Sequence, residues 1–282
     1  MFVTRFAPSP TGYLHLGHAF AAITARDAAL GGRFLLRIED MDRSRCRETF
    51  VVALFEDLQW LGLAWEEPVL RQSARADAYR AALADLDRLG VVYPCFCTRA
   101  EVAAEIARSA EAPHGPDGPI YPGTCRHMLP EERLSRERSG APFALRLDSA
   151  QAAALVGQLC FEEAIANPGA MYERVGVKPL LFGDIVLARK DAPAAYHLAV
   201  VVDDAAQGVT LVTRGRDLLP STHVQRVLQT LLGLAPPKYA HHRLILDPDG
   251  RKLSKRDGAQ SLHALRAAGI SPGEIAAMLQ RA

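Results

Sequence analysis

The chain predicts an α/β fold organised around a parallel, nucleotide-binding sheet that is split in sequence by an inserted subdomain. Three observations carry this reading. Residues 2–38 spell strand, punctuated turn, helix and second strand; an apolar run without alternation marks that second strand as buried on both faces; and helix-and-strand signals return after a long stretch of different pattern.

Taken in order, Phe2 to Ala7 is extended, and Pro8, Pro10 and Gly12 turn the chain. Apolar residues then recur at Leu16, Ala19, Phe20 and Ile23, the spacing of one helix face, until Gly31 and Gly32 end it. Phe34-Leu35-Leu36-Arg37-Ile38 supplies the second strand of a strand-helix-strand unit. Helices are predicted over 47–61 and 73–89, the latter with Ser73 as its cap and Gly90 as its stop. From Tyr93 to about Lys178 the texture changes, with a Pro/Gly-rich loop from Ala112 to Gly123 and short strands around Phe143 to Leu147. Helix-and-strand alternation resumes with Leu180 to Leu187, Tyr196 to Val202 and Thr210 to Thr213, then a helix from Ser221 to Leu232 that Gly233 stops. After the turn Asp247-Pro248-Asp249-Gly250 come a lysine-rich loop and short helices, the last opened by Ser271-Pro272-Gly273-Glu274 with capping-box spacing. The expected division is 1–93 for the first half of the sheet domain, 94–178 for an inserted α+β subdomain, 179–240 for the second half, and 241–282 for the lysine-rich loop and C-terminal helices.

Composition excludes several classes of protein. With 49% hydrophobic and 23% charged residues the chain is neither a disordered tail nor a membrane protein, and no apolar run is long enough to span a bilayer. Arg5 interrupts the first residues and a motif-bearing strand begins at once, so no cleavable signal is expected and the cytoplasm is the expected compartment. The 33 basic and 32 acidic residues leave a net charge of +1, so any nucleic-acid partner must be met by a local patch. Five cysteines, an odd number, argue against a disulfide framework and leave metal binding or plain burial.

Two constellations carry chemistry. Arg5-Phe6-Ala7-Pro8-Ser9-Pro10-Thr11-Gly12, followed by His15-Leu16-Gly17-His18, sits between a strand and the helix it feeds. A helix start offers free backbone donors and a positive dipole end to phosphate. His15 and His18 add donors to a phosphate whose charge rises during displacement, while Gly17 lets a flat adenine ring approach the backbone. Alone, His-x-x-His reads as surface or metal-pair histidines on one helix face. The second constellation is Lys252-Leu253-Ser254-Lys255-Arg256, whose ammonium groups suit a departing pyrophosphate; alone, it reads as a solvated basic loop.

A third cluster is Cys95-Phe96-Cys97 with Tyr121 and Cys125 across the Pro/Gly-rich loop. Thiolates suit zinc, but Cys-x-Cys spacing is less diagnostic than Cys-x-x-Cys and a tyrosine ligand is unusual. On the residues alone, buried cysteines and a metal site compete evenly, with His114 and His127 as replacement ligands; Cys46 and Cys160 read as packing residues.

Together the histidine and lysine constellations resemble the two signature motifs of class I aminoacyl-tRNA synthetases, and Arg5 to Gly12 resembles their glutamyl and glutaminyl branch. Arg37-Ile38-Glu39-Asp40-Met41-Asp42, the segment from Tyr196 to Asp204, and Thr213 to Thr222 agree with that branch. The similarity runs in order over nearly the whole chain, weakest at about 100–118 and after Gly258. It implies a class I synthetase Rossmann-like sheet split by an acceptor-binding-like subdomain. It also implies an L-glutamate site at Arg5, Phe6, Ala7, Pro8, Ser9, Glu39, Tyr196 and Arg214. Guanidinium forks match the two carboxylates, Glu39 the ammonium, and Ser9 and Tyr196 give hydroxyl contacts. The resemblance implies an ATP site, with Mg2+, at His15, Gly17, His18 and Lys255, with Lys252 assisting catalysis, and a structural zinc held by Cys95, Cys97, Tyr121 and Cys125.

Too few residues follow Arg256 for an independent domain, which needs about 50, so no anticodon-reading domain is expected. With the zinc pattern, this resembles the truncated glutamyl-queuosine tRNA(Asp) synthetases, which activate glutamate without RNA and transfer it to the queuosine cyclopentenediol in the anticodon of tRNA(Asp). A monomer is expected. The alternatives are a conventional glutamyl-tRNA synthetase or a fragment of one charging tRNA(Glu), a nucleotidyltransferase, a non-catalytic binding paralogue, and a metal hydrolase built on His15 and His18.

Overall fold

Strand β1 (Val3–Phe6) leads through the Pro-rich turn into α1 (Leu16–Ala28), and β2 (Arg33–Ile38) returns parallel to β1, with Val3 opposite Arg33 and Phe6 opposite Leu36. The structure is a computed structural model and describes residues 1–108, 114–165, 171–246 and 260–281. Helix α2 (Glu48–Trp60) and strand β3 (Glu66–Arg71) follow, β3 pairing parallel with β2. Helix α3 (Ala76–Arg88) starts three residues later than its expected cap. Ser73 does not cap it: its backbone N–H and hydroxyl both donate, at 2.8 Å, to the carboxylate of Asp40. The carboxylate, a charged acceptor, fixes both Ser73 donors and holds the residue inside a 3-10 turn ahead of the helix.

The next stretch contains β4 (Val92–Cys95), α4 (Arg99–Arg108), β5 (His114–Gly115), β6 (Gly118–Pro119), α5 (Pro130–Arg138), β7 (Ala144–Leu147), α6 (Ser149–Val156), β8 (Cys160–Ala164) and β9 (Tyr172–Gly176). Then come β10 (Val186–Ala188), α7 (Tyr196–Ala206), β11 (Leu211–Gly215), α8 (Leu219–Leu231), β12 (Lys238–His242), α9 (Leu262–Ala267) and α10 (Pro272–Arg281). The capping box expected at the last helix is formed, Glu274 N–H donating to Ser271 Oγ and Ser271 N–H to Glu274 Oε2.

The molecule has the predicted α/β class. Strands β1, β2 and β3 form one parallel set. Strands β11, β12 and β8 form another, with β9 antiparallel at its edge. The two sets meet at β1 and β11, where Thr210 N–H donates to the Val3 carbonyl at 3.0 Å and Val3 N–H to Thr210 Oγ1 at 2.9 Å. Further along, the Arg5 guanidinium bridges the two strands by donating to the Thr213 carbonyl at 3.2 Å. A crevice therefore opens between β1 and β11 at their carboxyl ends, where α/β sheets gather ligands.

Chain segments interleave across the expected boundaries. Strands β8 and β9, within 94–178, extend the β11–β12 sheet, while β10, beyond it, completes the antiparallel β10-β7-β4 sheet. One apolar core lies under α1 and α2, where Leu36 and Ile38 meet Leu54 and Leu58 and the C-terminal helices add Leu262 and Ile275. A second lies among α3, α7 and α8, around Tyr79, Leu86, Leu198 and Leu228. The C-terminal helices thus pack on the first strand-helix-strand unit. No helix among the described residues is long and apolar enough to cross a membrane.

Candidate active site

The crevice holds a cavity of about 440 Å³. Arg5, Phe6, Ala7, Pro8, Ser9, His15, Gly17, His18, Glu39, Tyr196 and Arg214 all line it. Every residue expected at the amino-acid or nucleotide site that lies within the described residues is therefore brought to one place. Lys252 and Lys255 lie outside the described residues. The described flanks of their segment reach the cavity: Ile245 lines it, Ser261 bridges to His15, and Leu262 N–H donates to the Leu14 carbonyl at 2.7 Å.

The histidine pair organises the start of α1. His15 is the N-cap, and its Nδ1 accepts from Gly17 N–H at 3.1 Å. His18 Nδ1 accepts from His15 N–H at 3.2 Å, closing a capping box with histidines in the roles usual for Ser and Glu. An Nδ1 that accepts leaves Nε2 as the protonated, donating nitrogen of a neutral ring. The rings lie 3.8 Å apart, centroid to centroid. Gly17 lets the His15 ring lie close, since a Cβ there would stand 3.0 Å from His15 Cε1 and 3.1 Å from its Nδ1 and would press the ring aside by a few tenths of an ångström.

Alternating charges line the β1 side. Asp204 on α7 accepts from Arg5 Nε at 2.9 Å and Nη2 at 3.3 Å, and from Arg37 Nη1 at 2.7 Å. Burial pushes the Asp204 carboxyl up, but Arg5 and Arg37 outweigh it and hold the group below the usual carboxylate range. Arg37 is fully buried, reaching Gln207 at 3.0 Å and Glu39 at 3.4 Å. For Glu39, burial prevails over the attraction of Arg37 and Arg5, and its carboxyl is raised. Of the five N–H donors of Arg5, three are committed to Asp204 and Thr213. The remainder can serve a ligand carboxylate.

Arg214, at the end of β11, is held just as firmly. Its Nε donates to His241 Nε2 at 3.1 Å, Nη1 to Gln225 at 2.8 Å and Tyr196 at 3.5 Å, and Nη2 to Thr222 at 2.8 Å. His241 Nδ1 lies 2.8 Å from Glu163 Oε2, and burial lowers the imidazole's tendency to protonate.

Sequence reasoning did not single out Asp204, Arg37, Glu163, His241, Gln225 or Thr222. A signal existed for Arg37: an arginine inside an apolar run, two residues before Glu39, must share a strand face with it. Asp204 stood at the end of a recognised segment. Glu163 and His241 belong to strands whose charged and histidine content hides them.

The cysteine cluster lies apart, at the end of β4. Cys97 Sγ is 3.4 Å from Cys125 Sγ, and the three sulfurs of Cys95, Cys97 and Cys125 fall within 4.8 Å of one another. Tyr121 Oη stands 3.5 Å from Cys95 Sγ and 3.6 Å from Cys97 Sγ. Tetrahedral zinc with bonds of about 2.3 Å separates its sulfurs by about 3.8 Å, so the donors fit that ion in both chemistry and spacing. Neither His114 nor His127 joins the group. Cys160 is no packing residue, since its sulfur accepts from Arg174 Nε at 3.2 Å and Nη2 at 2.8 Å.

Comparison with known proteins identifies the family. The family model of the class I tRNA synthetase (E and Q) catalytic domain matches residues 1–282. The chain is 50% identical over 280 residues to a Glutamyl-Q tRNA(Asp) synthetase of Rhodobacter capsulatus, covering 97% of this chain and 98% of that one. It is 45% identical over 288 residues to the like-named protein of Symbiobacterium thermophilum, covering 98% and 84%. The crystal structure of glutamate-tRNA synthetase from Elizabethkingia anophelis matches with a TM-score of 0.74 at 30% identity, covering 91% of this chain. The chain spans about half, 53%, of that synthetase's length.

Proposed function

The chain belongs to the class I tRNA synthetase (E and Q) catalytic-domain family and is a ligase of that type, and from that premise we propose that it activates L-glutamate with ATP and passes it to RNA. The carrying observation is the single cavity lined at once by Arg5, Arg214 and Glu39 and by His15 and His18. The two guanidinium groups take the carboxylates of glutamate and Glu39 takes its ammonium, with hydroxyls from Ser9 and Tyr196 and a wall from Phe6, Ala7 and Pro8. His15, Gly17 and His18 receive the nucleotide. Lys252 and Lys255 act from the segment whose flanks, Ile245 and Ser261, reach the cavity.

A glutamate α-carboxylate oxygen attacks the α-phosphorus of ATP in line, the bond to the bridging oxygen breaks, and pyrophosphate leaves with the electron pair. Magnesium travelling with the triphosphate would shield its charge. The Nε2–H donors of His15 and His18, held by their Nδ1 contacts, stabilise charge on the phosphate oxygens as it develops. Glutamyl-adenylate results without RNA. A hydroxyl of the acceptor then attacks the activated carbonyl and loses its proton, AMP departs, and an ester remains. The acceptor is the queuosine cyclopentenediol in the anticodon of tRNA(Asp), a choice supported by the names of relatives that match this chain along nearly their whole length. Away from the reaction, zinc held by Cys95, Cys97, Tyr121 and Cys125 would stabilise the fold, all four positions being filled by protein.

Glutamate-dependent ATP–pyrophosphate exchange without RNA, followed by transfer of labelled glutamate to tRNA(Asp) with and without queuosine and to tRNA(Glu), tests the proposal. Exchange without RNA and labelling only of queuosine-containing tRNA(Asp) are expected. Labelling of tRNA(Glu) would instead favour the reading that likeness to glutamate-tRNA synthetase suggests.

A further inference from the structure

We propose that Glu163, acting through His241, is a positioning residue that aims Arg214 at the amino acid, an inference that rests on reading the cavity as a glutamate site. Glu163 does not line the cavity. It sits on β8, with β12 between it and the Arg214 strand β11. It grips His241 at two points, accepting from the backbone N–H at 2.9 Å and facing ring Nδ1 at 2.8 Å.

That grip decides which nitrogen of the ring carries the proton. Arg214 Nε is a donor and can only meet a lone pair on His241 Nε2, 3.1 Å away. The proton therefore sits on Nδ1, where the carboxylate of Glu163 accepts it. The ring nitrogens convert a carboxylate two strands away into a lone pair directed at Arg214. With the other tautomer, or with an imidazolium, an N–H would face the guanidinium and push it off. Gln225, Tyr196 and Thr222 occupy three more donors of Arg214. Four of five N–H groups are then fixed, leaving one on Nη2 for the substrate, with the 3.5 Å contact to Tyr196 the one most readily exchanged for a ligand oxygen. Arg5, the other guanidinium assigned to the amino acid, has its own anchor in Asp204, so loss of Glu163 should disturb one fork and spare the other.

Two substitutions and their combination test this. E163Q presents an amide that can donate to Nδ1 and so reverse the tautomer; H241Q presents a carbonyl oxygen to Arg214 that cannot change its role. In pyrophosphate exchange and in calorimetric binding of glutamate, E163Q is expected to raise the glutamate KM and Kd roughly tenfold. The ATP KM should be unchanged. In the H241Q background, adding E163Q should cost less than about twofold, because the tautomer it controls is gone. An unchanged glutamate KM in E163Q, or an equal loss in both backgrounds, would overturn the relay. Glu163→Asp, which keeps the charge but retracts it, serves if E163Q does not fold; a smaller rise is expected, and no rise counts against the relay. If the wild-type protein fails to bind glutamate, the functional reading falls; if it binds and E163Q binds equally well, only the relay does.

Discussion

Arg37 and Asp204, 167 positions apart in the chain, share a hydrogen bond of 2.7 Å in which the guanidinium is wholly buried. The contact joins β2 to α7, and Asp204 uses the same carboxylate to hold Arg5. Its neighbour Asp203 faces a different set: Tyr79 at 2.7 Å, Gln72 at 3.0 Å and Arg75 at 3.1 Å. Two adjacent acidic residues on one helix thus serve different ends, one anchoring the cavity and one anchoring α3.

Substituting each in turn should separate those ends. Asp204→Asn leaves two buried guanidinium groups short of their counter-charge, a change that costs about 3–5 kcal/mol when a buried pair is broken. Urea denaturation should register that loss, and the glutamate KM should rise because Arg5 is no longer held. Asp203→Asn should also destabilise, yet leave the glutamate KM of the folded fraction within about twofold. Equal effects on KM would mean that Asp204 has no special tie to the amino-acid site.

The histidine motif allows its two jobs to be split. Asparagine at position 18 offers an oxygen where Nδ1 stands, so His18→Asn should keep the contact to His15 N–H while deleting the Nε2 donor. The expected result is a kcat for exchange lower by about 10²–10³, the cost of losing one preorganised donor, with little change in melting temperature. His18→Ala should lose the donor and also about 1 kcal/mol of helix-start stability. Similar kcat values for His18→Asn and wild type would remove His18 from the chemistry.

How far the sequence reached can be seen at particular residues. The strand-helix-strand unit was legible because apolar period and Gly/Pro punctuation agree there, and local signals suffice when neighbours in sequence are neighbours in space. Strand β3, Glu-Glu-Pro-Val-Leu-Arg, and β12, Lys-Tyr-Ala-His-His, were not, since both trade the apolar pattern for polar contacts across the sheet. Arg33 pairs with Glu66, and His241 with Glu163. Arg5, Glu39 and Arg214 could be named as candidates one at a time. Their anchors, Asp204 and the Glu163–His241 pair, could not, because a salt bridge between residues far apart in the chain leaves no local trace. Ser73 shows the opposite failure, a local signal overridden by a carboxylate from Asp40.

Zinc should matter to stability before it matters to chemistry. The purified protein is expected to carry one zinc per chain by elemental analysis. Cys97→Ser should lower that content and the melting temperature, while leaving the glutamate KM of the folded fraction unchanged, since the thiol cluster lies outside the cavity. Full zinc content in Cys97→Ser, or none in the wild type, would refute the site.

Asp57 carries the last prediction, and its sign follows from burial. The residue is completely buried on α2, both oxygens lack a hydrogen-bond partner among the described residues, and Arg266 Nε stands 3.3 Å away. Burial raises the carboxyl to about 6, prevailing over the attraction of Arg266 and His263. Between the ordinary aspartate range and about 6 the folded protein then holds a proton that the unfolded chain has released, so stability falls as pH rises through that window. Below it, both states are protonated and Asp57 adds no pH-dependent cost. Above it, the ionised group costs on the order of 1–3 kcal/mol, since each tenfold change in proton affinity is worth about 1.4 kcal/mol. Asp57→Asn removes the ionisation and keeps the shape, so it should be more stable than wild type by about that amount at neutral pH. The difference should vanish near pH of about 4, where the wild-type side chain is neutral too. Denaturation at both pH values checks this, and an Asn variant less stable than wild type at neutral pH would show that the ion pair with Arg266 outweighs the cost of burying the charge.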